Sequence, residues 1–490
     1  MRKPGIAMRV GAVLLGLLAA WSMVAAVSGT VISPVYAQST SSGPRTWHVL
    51  IGGQSQDQAI QAEGYYPRVI TIDAGDTVVW TLNSGEVHGV VFLGTCADTS
   101  CVPPCALTIS FDISPCGSTT YDGVSASSSG RMVPAGYNWD NAFTPGGTTY
   151  ALTFTHTGVN VYFDLSVSGM RGVVIVNPAG TPYPFTQVQY SQQAQDQLQA
   201  DLAAGASASN DFQPVAPSTN PDGTHLHHVA LGTSPPERAS VDLGSVKGSG
   251  AEGSARLEGI GVGSSPTTAI AVKVALSGLQ PGSVHAVQIL LGVCGAPAPT
   301  TGFLFSSIFV PPTFTLNTVT AGPDGRGTST TILTAPLNGN GPGQLRIPSS
   351  GWFINVAAGS TPDNGSTSQA CGNVVFHNAA VMSYLPQTVH VRVGDTVVWT
   401  NDTINETHGV TFLAGQPLPL IPDWFFGGPG GNPASYDGSS FLDSGALYAA
   451  DTGRNHSFAV TFTKTGAFSY VDVEDALLGM RGNVIVTPAD

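Results

Sequence analysis

The chain carries one long pattern twice, and that repeat constrains its fold more than any other feature. PRVITIDAGDTVVWTLNSGEVHGVVFLG, from Pro67, matches PQTVHVRVGDTVVWTNDTINETHGVTFLAG, from Pro386. Both copies run on through YDGVSASSSG and YDGSSFLDSG, and close with TFTHTGVNVYFDLSVSGMRGVVIVNPAG and TFTKTGAFSYVDVEDALLGMRGNVIVTPAD. Within each copy, ITIDAGDTVVW and VHVRVGDTVVW alternate apolar and polar residues around a Gly-Asp turn, and YALTFTHTG and FAVTFTKTG alternate again. A period of two puts one set of side chains on one face of a strand. Short strands punctuated by Gly, Pro, Asn and Asp predict a Greek-key β-sandwich at each end of an all-β chain. Two copies of this length are too few and too long for a solenoid.

Between the copies, the stretch from Thr186 to Ala204 is rich in Gln and Ala and predicts a short surface helix. The rest, as far as THLHH, reads as Ser/Pro/Asn linker. Residues 229–372 form a further run of short strands, AIAVKVAL and TSTTILTA among them. The expected layout is a signal over 1–37, a first sandwich over 45–180, a helix and linker over 181–228, a middle β domain over 229–372 and a second sandwich over 373–490.

The N-terminus has Arg2, Lys3 and Arg9 before an apolar run from Val10, and VYA ending at Ala37 has the small-x-small form of a cleavage site. This predicts a secreted or cell-surface protein, with a retained anchor left open by the length of the run. Six cysteines in an exported chain are read first as disulfides. Cys96, Cys101, Cys105 and Cys116 crowd one insertion; two staples with open pairing is the plain reading, and a zinc site is the alternative. Cys294 and Cys371 stand apart. A formal charge of −14 and the lack of a basic run beyond the N-terminus exclude a nucleic-acid partner.

The GDTVVW…H…Y…GMRG pattern resembles the plastocyanin-like (cupredoxin) family of small blue copper proteins, over most of both copies. In that family one His comes from the first motif, and Cys, His and Met come from the last loop. The resemblance matches the first His to His88 and His408, and the Met to Met170 and Met480. It matches the cysteine to Asp164 and Asp472, and the second His to Val167 and Asp475. A blue copper centre needs two imidazoles and a thiolate, and a hard carboxylate oxygen cannot take the thiolate's part. His408, Asp472, Asp475 and Met480 would still offer an imidazole and two carboxylates to a non-blue metal. The plain alternative leaves the acids on a solvent-facing loop and the histidines hydrogen-bonded in place.

AIAVKVALSGLQPGSVHAVQILLGVCGAPAP, with GPDGRGTSTTIL and QACGNVVF, resembles the copper/zinc superoxide dismutase-like barrel. The resemblance implies a Cys294–Cys371 disulfide. It also implies a His-x-His of copper ligands where this chain has Gln288 and Leu290, so dismutase activity is not expected. His225, His227 and His228 in THLHH read as a solvated polar linker, with metal capture as the alternative.

No G-x-S-x-G elbow is present, every cysteine has a disulfide explanation, and no glycine loop precedes a helix as a phosphate cradle. The protein is therefore expected not to be an enzyme but a binding or structural module, with paired copies suited to bivalent contact. The alternative is a copper-binding electron carrier with an unconventional site. No cofactor is expected, copper being the metal the resemblance leaves open. The expected partner is a protein or a surface, another copy of the chain included, and a membrane only if the N-terminal segment is retained. Asn364, Asn401, Asn405 and Asn455 begin N-x-S/T sequons.

Overall fold

The computed structural model describes residues 43–94, 115–134, 147–164, 167, 169–262, 265–296, 303–305, 308–310, 313–334, 345–363, 365–404, 406–419, 434–449 and 454–489. The signal over 1–37, Cys96, Cys101, Cys105, Asn364 and Asn405 lie outside them. Among the described residues no helix is long and apolar enough to cross a membrane.

The first sandwich comprises β1 (Thr46–Gln54), β2 (Ile60–Tyr66), β3 (Val69–Asp73), β4 (Thr77–Leu82), β5 (Val91–Phe92), β6 (Thr120–Tyr121), β7 (Ser127–Ser128), β8 (Thr149–Phe154), β9 (Gly158–Phe163) and β10 (Arg171–Asn177). Its sheets run β6-β8-β4-β1-β2 and β3-β10-β9-β5-β7. The alternation seen in the sequence is the burial pattern: Val78 and Trp80 of β4 are buried and Thr77 and Val79 are half-buried. Trp80 packs edge-on to Phe92 and Tyr162, and the core closes around them.

Beyond the helix α1 (Gln187–Asp211) come β11 (Ser218–Thr219) and β12 (His225–Thr233). The linker reading of THLHH fails here. β12 runs parallel to β25 (Thr396–Thr400) with Val229 opposite Trp399, as β1 runs parallel to β4 with Val49 opposite Trp80. Residues 225–233 are thus the first strand of the second sandwich. It continues in β23 (Ala379–Leu385), β24 (Thr388–Arg392), β25, β26 (Thr411–Phe412), β27 (Ala434–Tyr436), β28 (Leu442–Asp443), β29 (Ser457–Phe462), β30 (Gly466–Val471) and β31 (Arg481–Thr487). Its sheets run β27-β29-β25-β12-β23 and β24-β31-β30-β26-β28.

The middle domain sits in the chain between β12 and β23. Its strands are β13 (Arg238–Ser245), β14 (Glu252–Val262), β15 (Ser265–Ser277), β16 (Val284–Leu291), β19 (Thr313–Thr320), β20 (Gly327–Thr334), β21 (Trp352–Ala357) and β22 (Ser368–Val374), with β17 (Phe303–Phe305) and β18 (Ile308–Val310) forming a separate hairpin. The eight strands run β19-β16-β21-β22-β13-β14-β15-β20. Asn317 of β19 donates its backbone N–H to Thr331 Oγ1 of β20 (2.8 Å), which nearly closes a barrel. Cys294 and Cys371 are disulfide-bonded, their Cα atoms 5.6 Å apart. Cys116 is also in a disulfide, whose other half lies outside the described residues.

The two sandwiches share one continuous sheet. β2 and β23 pair antiparallel, with Ile60 opposite Val381, Gln61 opposite Ala380 and Ala62 opposite Ala379. The helix covers one face of this seam. It is longer than the sequence suggests and is no mere surface element, because Tyr190, Ala194, Leu198, Asp201, Gly205 and Ala208 form a buried stripe at helical spacing. Thr186 and Gln189 cap it reciprocally. At Gly205 a Cβ would stand 2.5 Å from Ile60 Cγ2 and 3.0 Å from Ala379 Cβ, so only glycine lets the helix lie across both sandwiches.

Candidate functional site

Each candidate site begins with an inward-facing tyrosine. Residues i and i+2 of a strand share a face, so Tyr162 at the end of β9 sends Asp164 toward the same core, and Tyr470 of β30 does so for Asp472. Both tyrosines are fully buried, and Asp164 and Asp472 are buried as well. The following loop folds back in each case: Asp164 N–H donates to Met170 O and Asp472 N–H to Met480 O, both at 3.1 Å. Met170 and Met480 are fully buried in their cores.

In the first sandwich, His88 Nδ1 lies 2.8 Å from Asp164 Oδ2, which also accepts the Gly89 N–H at 3.1 Å. A carboxylate only accepts, so Nδ1–H donates and the pair is satisfied. Val167, at the second-histidine position, is a buried core residue. Neither a thiolate nor a second imidazole is available, and the donor set does not fit a blue copper centre.

In the second sandwich, His408 Nδ1 lies 3.1 Å from both Asp472 Oδ2 and Asp475 Oδ2, and Gly409 N–H donates to Asp472 Oδ2 at 3.0 Å. The acids are not on a solvent-facing loop: Asp472 is 0% and Asp475 7% exposed. Asp475 is pulled in because Asp472 Oδ1 accepts the N–H groups of Glu474 and Asp475, which bends the chain back under the histidine. Burial would lower the His408 pKa, but hydrogen bonds to Asp472 and Asp475 outweigh it and hold the imidazole well above its usual range. Burial, then the charge of Asp472, pushes Asp475 up to about 7. Among the described residues this is the trio whose donor atoms lie within 4.8 Å of one another. One imidazole and two carboxylates suit a divalent ion such as zinc or copper(II), but not a blue centre.

The other sequence candidates do not converge. Gln288 is buried and its Oε1 accepts the Asp363 N–H (3.3 Å), while Leu290 is core. His285 is satisfied on both nitrogens, by Ala357 O at 2.9 Å and Ser283 Oγ at 2.7 Å. In THLHH, His227 Nε2 lies 3.4 Å from Asp395 Oδ2, where the first sandwich has Trp47 Nε1 donating to Asp76 Oδ2 at 2.9 Å. That histidine does a tryptophan's structural task. Asn401 is fully buried, its amide donating to Glu406 O and Leu447 O, so this sequon is closed to a glycan, whereas Asn455 is exposed.

Sequence reasoning passed over two residues at these sites, Glu86 and Glu406. Each stands two residues before its histidine, in GEVHG and NETHG, and that shared spacing is the signal that could have found them. Glu86 Oε2 lies 4.0 Å from His88 Nε2.

No protein-family model and no curated protein matches the chain. Among solved structures, an oxidized methionine-to-leucine mutant of amicyanin is 26% identical, covering 21% of this chain and 73% of that chain, with a TM-score of 0.15. An oxidized proline-to-alanine mutant of amicyanin is 28% identical, covering 22% and 74%, also with a TM-score of 0.15. At that score the likeness is weak.

Proposed function

We propose that the chain is an exported or cell-surface protein in which two cupredoxin-like sandwiches and a superoxide dismutase-like barrel act as a non-catalytic binding or structural unit. The observation that carries this reading is the His88–Asp164 hydrogen bond: the atoms that would have to hold copper satisfy each other in the buried interior of the sandwich. A carboxylate so placed supplies fold stability and no redox chemistry. The covalent Cys294–Cys371 staple suits an oxidising compartment, and two sandwiches on one rigid sheet would present paired surfaces to a protein, a surface or another copy of the chain. The test is copper(II) added to the purified full chain. The expected outcome is no intense visible absorption and no superoxide removal above the free-metal background; stoichiometric copper with an intense visible band overturns it.

A second reading, a copper-binding electron carrier, is favoured by the convergence of His408, Asp472 and Asp475. It requires a His408→Ala variant to lose copper(II) affinity, and equal affinity in that variant removes it.

A further inference from the structure

The repeat gives both sandwiches the same kind of edge strand and finishes the two edges differently. β3 and β24 each end a sheet and pair on one side only, parallel to β10 and to β31. A strand paired in parallel turns alternate residues, N–H and C=O together, toward its neighbour. Val173 N–H donates to Arg68 O and Ala74 N–H to Asn177 O, at 2.9 and 2.8 Å. Asn483 N–H donates to Gln387 O and Val393 N–H to Thr487 O, both at 2.9 Å. These bonds fix the phase. Val69 and Thr71 in the first sandwich, and Thr388 and His390 in the second, hold their backbone groups out along the open side.

In the first sandwich α1 covers that side. Thr71 N–H donates to Tyr190 Oη at 2.8 Å, the Tyr190 hydroxyl donates back to Thr71 O at 3.3 Å, and Arg68 N–H donates to Gln197 Oε1 at 2.9 Å. His390 holds the place of Thr71 in the second copy, four residues after Pro386 as Thr71 is after Pro67. Among the described residues nothing takes the part of Tyr190 there. The outward backbone groups of Thr388 and His390 have no partner, and both residues are exposed. The edge is closed only beyond them, where Arg392 N–H donates to Asp395 Oδ2 at 2.8 Å. Thr388–Arg392 runs along β31 without a bulge. A regular edge with unpaired groups is a template for another strand.

We propose that β24 joins two copies of this chain, antiparallel about a two-fold axis at Val389. That register sets Thr388 opposite His390 of the partner subunit, and His390 opposite Thr388 of the partner subunit. Each such pair closes both of its N–H···O=C bonds, so every free donor and acceptor of these residues is used. Arg392, whose N–H is already committed, falls opposite Pro386, which has none to give. An axis at His390 would instead set histidine against histidine and call on the occupied Arg392 N–H. This self-complementarity is what selects a second copy over a foreign strand. The chain already joins edges in the same manner, since β2 meets β23 antiparallel where its own two sandwiches share a sheet. The inference rests on the reading of the chain as a binding or structural unit and names its partner. Copper titration tests that reading and oligomeric state tests this one, so either can fail alone.

A contact made through one short strand belongs with weak interfaces. The full chain is therefore followed by sedimentation equilibrium from roughly 1 µM to 1 mM, and a monomer–dimer equilibrium is expected. His390→Pro removes the outward N–H, a change that an edge strand tolerates. It should weaken association at least about tenfold, because each copy loses a hydrogen bond, and leave the melting temperature of the monomer nearly unchanged. Thr71→Pro, the matched change in the first sandwich, removes the donor held by Tyr190, so it lowers the melting temperature and leaves association as it was. Hydrogen exchange on the unaltered chain gives a readout that needs no variant: exchange at the His390 amide should slow as concentration rises, while exchange at Thr71 stays constant. A chain that remains monomeric over that range, a folded His390→Pro variant that associates like the parent, or exchange at His390 that ignores concentration overturns the contact.

Discussion

Asp164 shows how one buried side chain can tie a sandwich core together. Its Oδ2 accepts from the buried imidazole of His88 and from the Gly89 N–H. Removing a buried acceptor leaves its donors unsatisfied, at about 1–3 kcal/mol each. Asp164→Ala is therefore expected to lower stability by about 3 kcal/mol by denaturant unfolding, and Asp164→Asn, which keeps an acceptor, by much less; equal losses would show that the hydrogen bonds do not matter. The carboxylates beside the two histidines were legible at this scale, because the spacing from Tyr162 to Asp164 and from Tyr470 to Asp472 is visible in the sequence. The inward turn of Asp475 was not legible, since it depends on two backbone hydrogen bonds to Asp472 Oδ1.

The Met-x-Gly hairpin has a packing reason of its own. Gly172 lies opposite Tyr162 across β9 and β10, and Gly482 opposite Tyr470 across β30 and β31. A Cβ at either glycine would stand 2.3 Å from the tyrosine ring's Cζ. Those rings pack on Trp80 and Trp399 in the core centres and cannot yield. Gly482→Ala is expected to cost about 1–3 kcal/mol, as overpacking does, with a fall in melting temperature as the readout; an unchanged melt would refute the packing argument. The helix α1 makes a second case. Asp201 is fully buried and is bonded by Arg68 at 2.6 Å, by His377 at 2.7 Å and by Tyr66 at 2.5 Å. Asp201→Ala leaves a buried guanidinium without its counter-charge, a loss of about 3–5 kcal/mol that urea unfolding would register.

Over the whole molecule, acids held in buried surroundings set a pH dependence. Glu86, Glu406 and Glu474 all have pKa values held well above the usual carboxylate range, first by burial and then by neighbouring acids. An acid with a raised folded pKa stabilises the fold below its unfolded pKa and loses that contribution as the pH climbs through the folded value. His408, also raised, acts in the same direction. Carboxylates with lowered pKa values, such as Asp395 and Asp363, lose their contribution only in more acidic solution. The protein should therefore melt higher at about pH 5.5 than at about pH 8, and Glu86→Gln/Glu406→Gln should shrink the difference. A flat or rising profile in differential scanning calorimetry would contradict this. The amino-acid sequence by itself determined the all-β character, the two sandwiches and the absence of a thiolate beside His88 and His408, because alternation, turn residues and motif spacing are local properties of the chain. Tertiary structure alone decided that residues 225–233 open the second sandwich and that the sandwiches share one sheet beneath a helix. Strand pairing between residues more than 300 apart depends on which edges meet when apolar surface is buried, and no local pattern records that.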